Sequence, residues 1–81
     1  MDESTIRDAI SRTLASIAPE VSLEQIVATV PLRDQIDLDS MDWLNFIVGL
    51  HEQLHVDIPE ADYRKLRTLN DLIAYLRAKS G

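Results

Sequence analysis

Between residues 40 and 54 the apolar side chains return every three or four positions. Taking about 100° per residue, Trp43, Phe46, Ile47, Leu50 and Leu54 fall on one face of a helix. Met41, Asn45, Val48 and Glu52 fall opposite, with Leu44, His51 and His55 on the flanks. Asp39 is placed to cap this helix, and Asp42, three residues on, to form a variant capping box with it. A helix with one apolar stripe must bury it against other elements of the chain.

Two further helices supply them. Residues 4–17 carry Ile6, Ala9, Ile10, Thr13, Leu14 and Ile17 at helical spacing, with Ser4 or Asp2 as the cap and Pro19 as the stop. At the other end Thr68 is expected to cap the last helix with Asp71 as its box partner. Leu69, Leu72, Ile73 and Leu76 form its stripe, and Arg77 and Lys79 suit its negative end.

The connections are less periodic. Residues 18–38 are expected to be a long loop in which Ser22-Leu23-Glu24-Gln25 forms one capped turn. A strand at 26–30 would have no evident partner, so loop is the preferred reading. Such a loop is uncommon unless pinned, and Val21, Leu23, Ile26, Val27, Val30, Leu32 and Ile36 are the residues to pin it. Val56-Asp57-Ile58-Pro59 reads as an extended link, because proline biases the residue before it away from helix. Pro59 then opens a short helix over roughly 60–66 with Tyr63 and Leu66 inward. The expected fold is all-α: a small four-helix bundle of three longer helices and one short third helix, with a long loop between the first two.

Length and charge narrow the functions. At 81 residues the chain is expected to be one domain, residues 1–81. Its net charge of −6 argues against nucleic acid, whose phosphates require Lys and Arg. There is no cysteine, which removes disulfides and thiolate chemistry of the chain's own. The acidic start and the lack of a run of about 20 apolar residues point to a cytoplasmic protein with no membrane insertion.

Four groups of residues invite chemistry. Ser40 opens the central helix, where free N–H groups and the helix dipole favour a phosphate, so it is either a plain helix-start serine or a modification site. Its acidic neighbours would repel a free anion and read better as a docking surface for a positively charged modifying enzyme. His51-Glu52-Gln53-Leu54-His55 matches the zinc-protease helix signature. A catalytic zinc normally needs a third protein ligand, which here could come only from an acid such as Glu60 or Asp62, and solvated histidines are the better reading. Asp34, Asp37, Asp39 and Asp42 lack the spacing and glycine of a calcium loop. Trp43, Phe46 and Tyr63 suit a core better than a base-stacking platform.

Asp39-Ser40-Met41, opening a helix midway through an acidic helical domain, resembles the Asp-Ser-Leu motif of acyl carrier proteins. The likeness extends over most of the chain: the first helix, the loop ending in Pro31-Leu32-Arg33-Asp34, the Val56-Asp57-Ile58-Pro59 link, the short third helix and the Thr68-Leu69 start of the last. The resemblance implies that Ser40 accepts 4′-phosphopantetheine from coenzyme A through a phosphopantetheinyl transferase. The arm's thiol then holds an acyl group as a thioester for acyl-loading and acyl-using enzymes, and the protein is a monomeric carrier, not an enzyme. Resemblance also implies a partner face of Asp37, Asp39, Met41, Asp42, Leu44, Asn45, Val48 and Glu52, and an acyl pocket near Trp43, Phe46, Leu50 and Tyr63, with no metal.

The departures from the family pattern are Met41 for leucine, a bulky Trp43, and Asn45, His51 and Gln53 where housekeeping fatty-acid carriers tend to be acidic. They point to a free-standing carrier of a specialised lipid, polyketide-like or aminoacyl pathway rather than the central fatty-acid carrier. The competing reading is a non-carrier helical module that docks a basic partner through its acidic face, with Ser40 no more than a helix-start residue.

Overall fold

Helix α1, Glu3–Ile17, starts where the Asp2 carboxylate accepts from the Thr5 N–H at 2.9 Å, so Asp2 rather than Ser4 is its cap. This contact also holds the Asp2 carboxyl below its ordinary pKa. The structure, a computed structural model, describes residues 2–80. After α1 come the four-residue helix α2, Leu32–Gln35, the central helix α3, Ser40–Leu54, and the last helix α4, Leu69–Ser80. No strand forms among the described residues, and residues 26–30 are irregular.

The stripes read from the sequence become one core. Helix α1 packs chiefly on α3 and also on α4. Ile6, Ile10, Phe46, Ile47, Leu50, Leu66, Leu69, Leu72 and Leu76 are essentially inaccessible to solvent. Burying each such side chain stabilises the fold by about 1.5–3 kcal/mol before chain entropy is counted. Trp43, at the top of the stripe, is half-buried and packs against the core, its ring 5.5 Å from that of Phe46.

The segment from 18 to 38 is not one long loop. A 3-10 turn forms at Leu23–Gln25, where the Gln25 side chain accepts from the Ser22 N–H, and α2 follows at Leu32–Gln35. Four residues are too few to show a helical period, which is why α2 left no trace in the pattern. Gln35 holds the intervening loop much as a strand partner would. Its carbonyl accepts from the Val27 N–H at 2.7 Å, and its amide donates to the carbonyls of Val27 and Val30 at 2.9 and 2.8 Å. Two backbone bonds tie this region to the C-terminal half, from Leu32 N–H to Arg67 O and from Asn70 N–H to Ala28 O. Leu32, Ile36 and Leu38 are buried, so the approach to Ser40 is anchored on both sides.

Helix α3 ends at His55, whose φ of 54° and ψ of 39° place it in the left-handed region. The chain then returns through buried Val56 and Ile58. The short third helix is a 3-10 helix, Glu60–Lys65, with Tyr63 half-buried and Leu66 buried just beyond its end. Helix α4 opens with the expected reciprocal box: Asp71 N–H donates to Thr68 Oγ1 at 3.0 Å, and Thr68 N–H donates to Asp71 Oδ2 at 3.2 Å.

Candidate functional site

Ser40 is the first residue of α3. Asp39 precedes it in extended conformation, and its carboxylate accepts from the Asp42 N–H at 2.8 Å. Among the described residues the Asp42 carboxylate makes no return bond, so only half of the expected box forms. The arrangement leaves Ser40 exposed, with its hydroxyl in no hydrogen bond among the described residues. A serine so placed is open to an incoming group. Its position at the helix start, where backbone N–H groups lack intrahelical partners, favours a phosphodiester. The residues therefore fit a phosphopantetheine arm.

The outward face expected of α3 is present. Met41, Leu44 and Val48 are large apolar residues exposed at 67%, 42% and 40%. Asp37, Asp39, Asn45 and Glu52 are also exposed, and Asp42 is half-exposed. Three apolar side chains on one short helix face, bordered by acids, form a patch that a partner can cover.

Of the four residues expected near an acyl pocket, Trp43 and Tyr63 are half-buried and pack against the core that holds Phe46 and Leu50, the Trp43 and Phe46 rings lying 5.5 Å apart. Phe46 and Leu50 are sealed in the core at 1% and 0% exposure. The indole of Trp43 and the phenol of Tyr63 also line an open groove of about 610 Å³, together with Leu66 and the arginines Arg33, Arg64 and Arg67. A smaller hollow of about 140 Å³ lies between α3 and the returning chain, bordered by Ile47, Val48, His51, Ile58 and Tyr63. Tyr63 borders both spaces. The arginines escaped sequence reasoning because Arg33 lies about thirty positions from Arg64, and no local pattern links them.

The histidine motif does not assemble into a metal centre. His51 Nδ1 lies 2.7 Å from Val56 O, and the ring donates there, bracing the turn after α3. His55 is the left-handed cap of α3, so its side chain does not leave the backbone in the direction of a helical residue one turn after His51. No group of three or more His, Asp or Glu converges as metal ligands among the described residues.

Comparison with known proteins gives one answer. Residues 4–76 match the family model described as phosphopantetheine attachment site. Three relatives, each named acyl carrier protein, are similar to this chain. The one from Desulforapulum autotrophicum is 28% identical over 76 residues, covering 94% of this chain and 99% of the relative. That from Kineococcus radiotolerans is 31% identical over 58 residues, 72% of each chain. That from Lactobacillus acidophilus is 27% identical over 62 residues, 76% of this chain and 78% of the relative. With a helical bundle and an open serine at the head of its central helix, the chain belongs to the acyl carrier protein family and is a carrier rather than an enzyme.

Proposed function

We propose that Ser40 is the residue that carries the 4′-phosphopantetheine arm, and that the protein ferries acyl groups between enzymes of a dedicated pathway in the cytoplasm, as a monomer. The observation that carries this reading is the exposed, unbonded Ser40 directly after the capping Asp39, inside a chain matched to the attachment-site family over residues 4–76.

Ser40 Oγ supplies the nucleophile. It forms the bond to the β-phosphorus of coenzyme A as the pyrophosphate bridge breaks and adenosine 3′,5′-bisphosphate leaves. The serine proton passes to a base of the transferase, because no histidine or lysine neighbours Ser40 in sequence and the adjoining acids serve as cap and docking surface. Once in place the arm supplies a thiol that the cysteine-free chain lacks, and that thiol holds cargo as a thioester. The exposed face of α3 is the surface offered to the transferase and to the loading and unloading enzymes. Its acids attract basic partners over a Debye length of about 8 Å at physiological salt.

Incubation with coenzyme A and a broad-specificity phosphopantetheinyl transferase tests the proposal. The intact mass of the wild type should rise by one phosphopantetheine unit, and Ser40→Ala should not change. A folded wild type that gains no mass, or a Ser40→Ala variant that gains the same mass, overturns it.

A further inference from the structure

The chain has eight Lys and Arg residues against fourteen acids. Four of the eight are committed to carboxylates: Arg7 and Arg77 to Glu3 at 3.8 and 3.7 Å, Arg12 to Asp8 at 3.1 Å, and Lys65 to Asp62 at 3.3 Å. Lys79 lies over the Tyr75 ring at 5.6 Å. The three that remain, Arg33, Arg64 and Arg67, line one groove. None of them forms an ion pair among the described residues, and Arg33 has only a long 3.5 Å contact to Leu38 O. Asp34 also lines the groove, which leaves three arginines and one acid along it. In a protein of net charge −6 this is a local reversal of sign.

The groove is amphipathic and close to the attachment point. Trp43 lines it and stands three residues after Ser40 on the same helix, a rise of about 4.5 Å. Trp43, Tyr63 and Leu66 offer apolar surface beside the guanidiniums. Such a space suits a short apolar stem that ends in an anion, and arginine's planar fork matches a carboxylate bidentately. We infer that this groove receives the free carboxylate of a carboxy-terminated acyl group carried on the Ser40 arm, so that the carrier prefers dicarboxylic-acid-derived cargo. The inference rests on the attachment at Ser40 proposed above.

The test compares two cargoes of equal chain length. Arms carrying succinyl and butanoyl groups, made as amide analogues so that they do not hydrolyse, are loaded onto Ser40 and each product is verified by mass. Nitrogen-15 spectra of the arginine Nε–H groups and the Trp43 indole are then recorded for both products and for the unacylated arm. The succinyl form should shift the resonances of Arg33, Arg64, Arg67 and Trp43, and high salt should reverse the shift. The butanoyl and unacylated forms should leave them unmoved. In R33Q/R64Q/R67Q, checked for folding by circular dichroism, the succinyl effect on Trp43 should be lost. Equal spectra for succinyl and butanoyl overturn the inference, as do equal shifts from the unacylated arm, which would assign the groove to the arm's own phosphate. Failure to load at all overturns the attachment at Ser40 and the groove's role with it. Successful loading with identical spectra overturns the groove's role alone.

Discussion

Gly49 faces Thr13 across the α1–α3 interface so closely that a Cβ on Gly49 would lie 2.7 Å from the Thr13 methyl. Thr13 cannot readily turn away. It is buried, its hydroxyl donates to Ala9 O at 2.8 Å, and it accepts from the Gln53 amide. A hydroxyl fixed on both sides aims the methyl at Gly49. The missing side chain is therefore what lets the helix that presents Ser40 approach α1.

Gly49→Ala should consequently destabilise the protein. Overpacking costs about 1–3 kcal/mol, against a gain of about 1 kcal/mol from the better helix former. Urea unfolding should show a lower midpoint at unchanged slope. Adding Thr13→Ser, which removes the methyl and keeps the hydroxyl, should recover most of the loss. A stabilised Gly49→Ala would show that the interface relaxes freely.

The end of α3 offers the opposite change. His55 adopts a left-handed conformation that costs an L-residue with a Cβ roughly 1–2 kcal/mol and glycine almost nothing. Its side chain is exposed, so little packing is lost on removing it. His55→Gly should raise stability by about 0.5–1 kcal/mol, after the greater freedom of glycine in the unfolded chain is subtracted. Differential scanning calorimetry should record a rise of a few degrees. A fall would mean that the imidazole makes a contribution beyond its backbone.

Much of this was legible in the residues themselves. The stripes of α1, α3 and α4 set the core, and Thr68 with Asp71 marked a true box. Asp39 and the periodicity behind it placed Ser40 at the head of a capped helix, and only the resemblance of Asp39-Ser40-Met41 gave it a role. What escaped depends on relations that period does not carry. Helix α2 is a single turn, the helix at 60–65 is wound as 3-10, and Trp43 sits at the rim, packed against the core beside Phe46 while also bordering the groove. How deeply Phe46 and Leu50 are buried is decided by how the helices pack, and both lie in the core.

Tyr75 and Asp62 give the fold a defined pH response. The Tyr75 hydroxyl donates to Asp62 at 2.6 Å. Burial, aided by that bond and the nearby charge, pushes the Tyr75 phenol up from 10.0 to about 12. The same bond holds the Asp62 carboxyl below its usual value, outweighing desolvation. For Tyr75 the folded pKa is the higher one, so its contribution is complete below pH 10 and is lost as pH rises from 10.0 toward about 12. For Asp62 the folded pKa is the lower one, so its contribution is present above the unfolded value of 3.8 and fades as pH falls through the folded value. Unfolding free energies measured across the alkaline range should fall more steeply for the wild type than for Tyr75→Phe. Equal slopes would remove Tyr75 as the source.

The exposed face of α3 makes the last prediction. Met41 and Val48 project from the helix that presents Ser40 and are largely accessible to solvent. Truncating them should cost little, within about 0.5 kcal/mol of the wild type, as for surface positions generally. If they form the surface on which the transferase seats itself, Met41→Ala and Val48→Ala should slow phosphopantetheine loading several-fold, since a loss of about 1 kcal/mol of docking energy is roughly a fivefold change. Val27 is a suitable control, because it is 53% exposed and lies outside α3. Val27→Ala should load at the wild-type rate. Raising salt should slow loading of all the variants, because the acids around Ser40 attract a basic partner through screened charge. Loading that is insensitive to Met41 and Val48 would move the docking surface elsewhere, to the loop that carries Asp37.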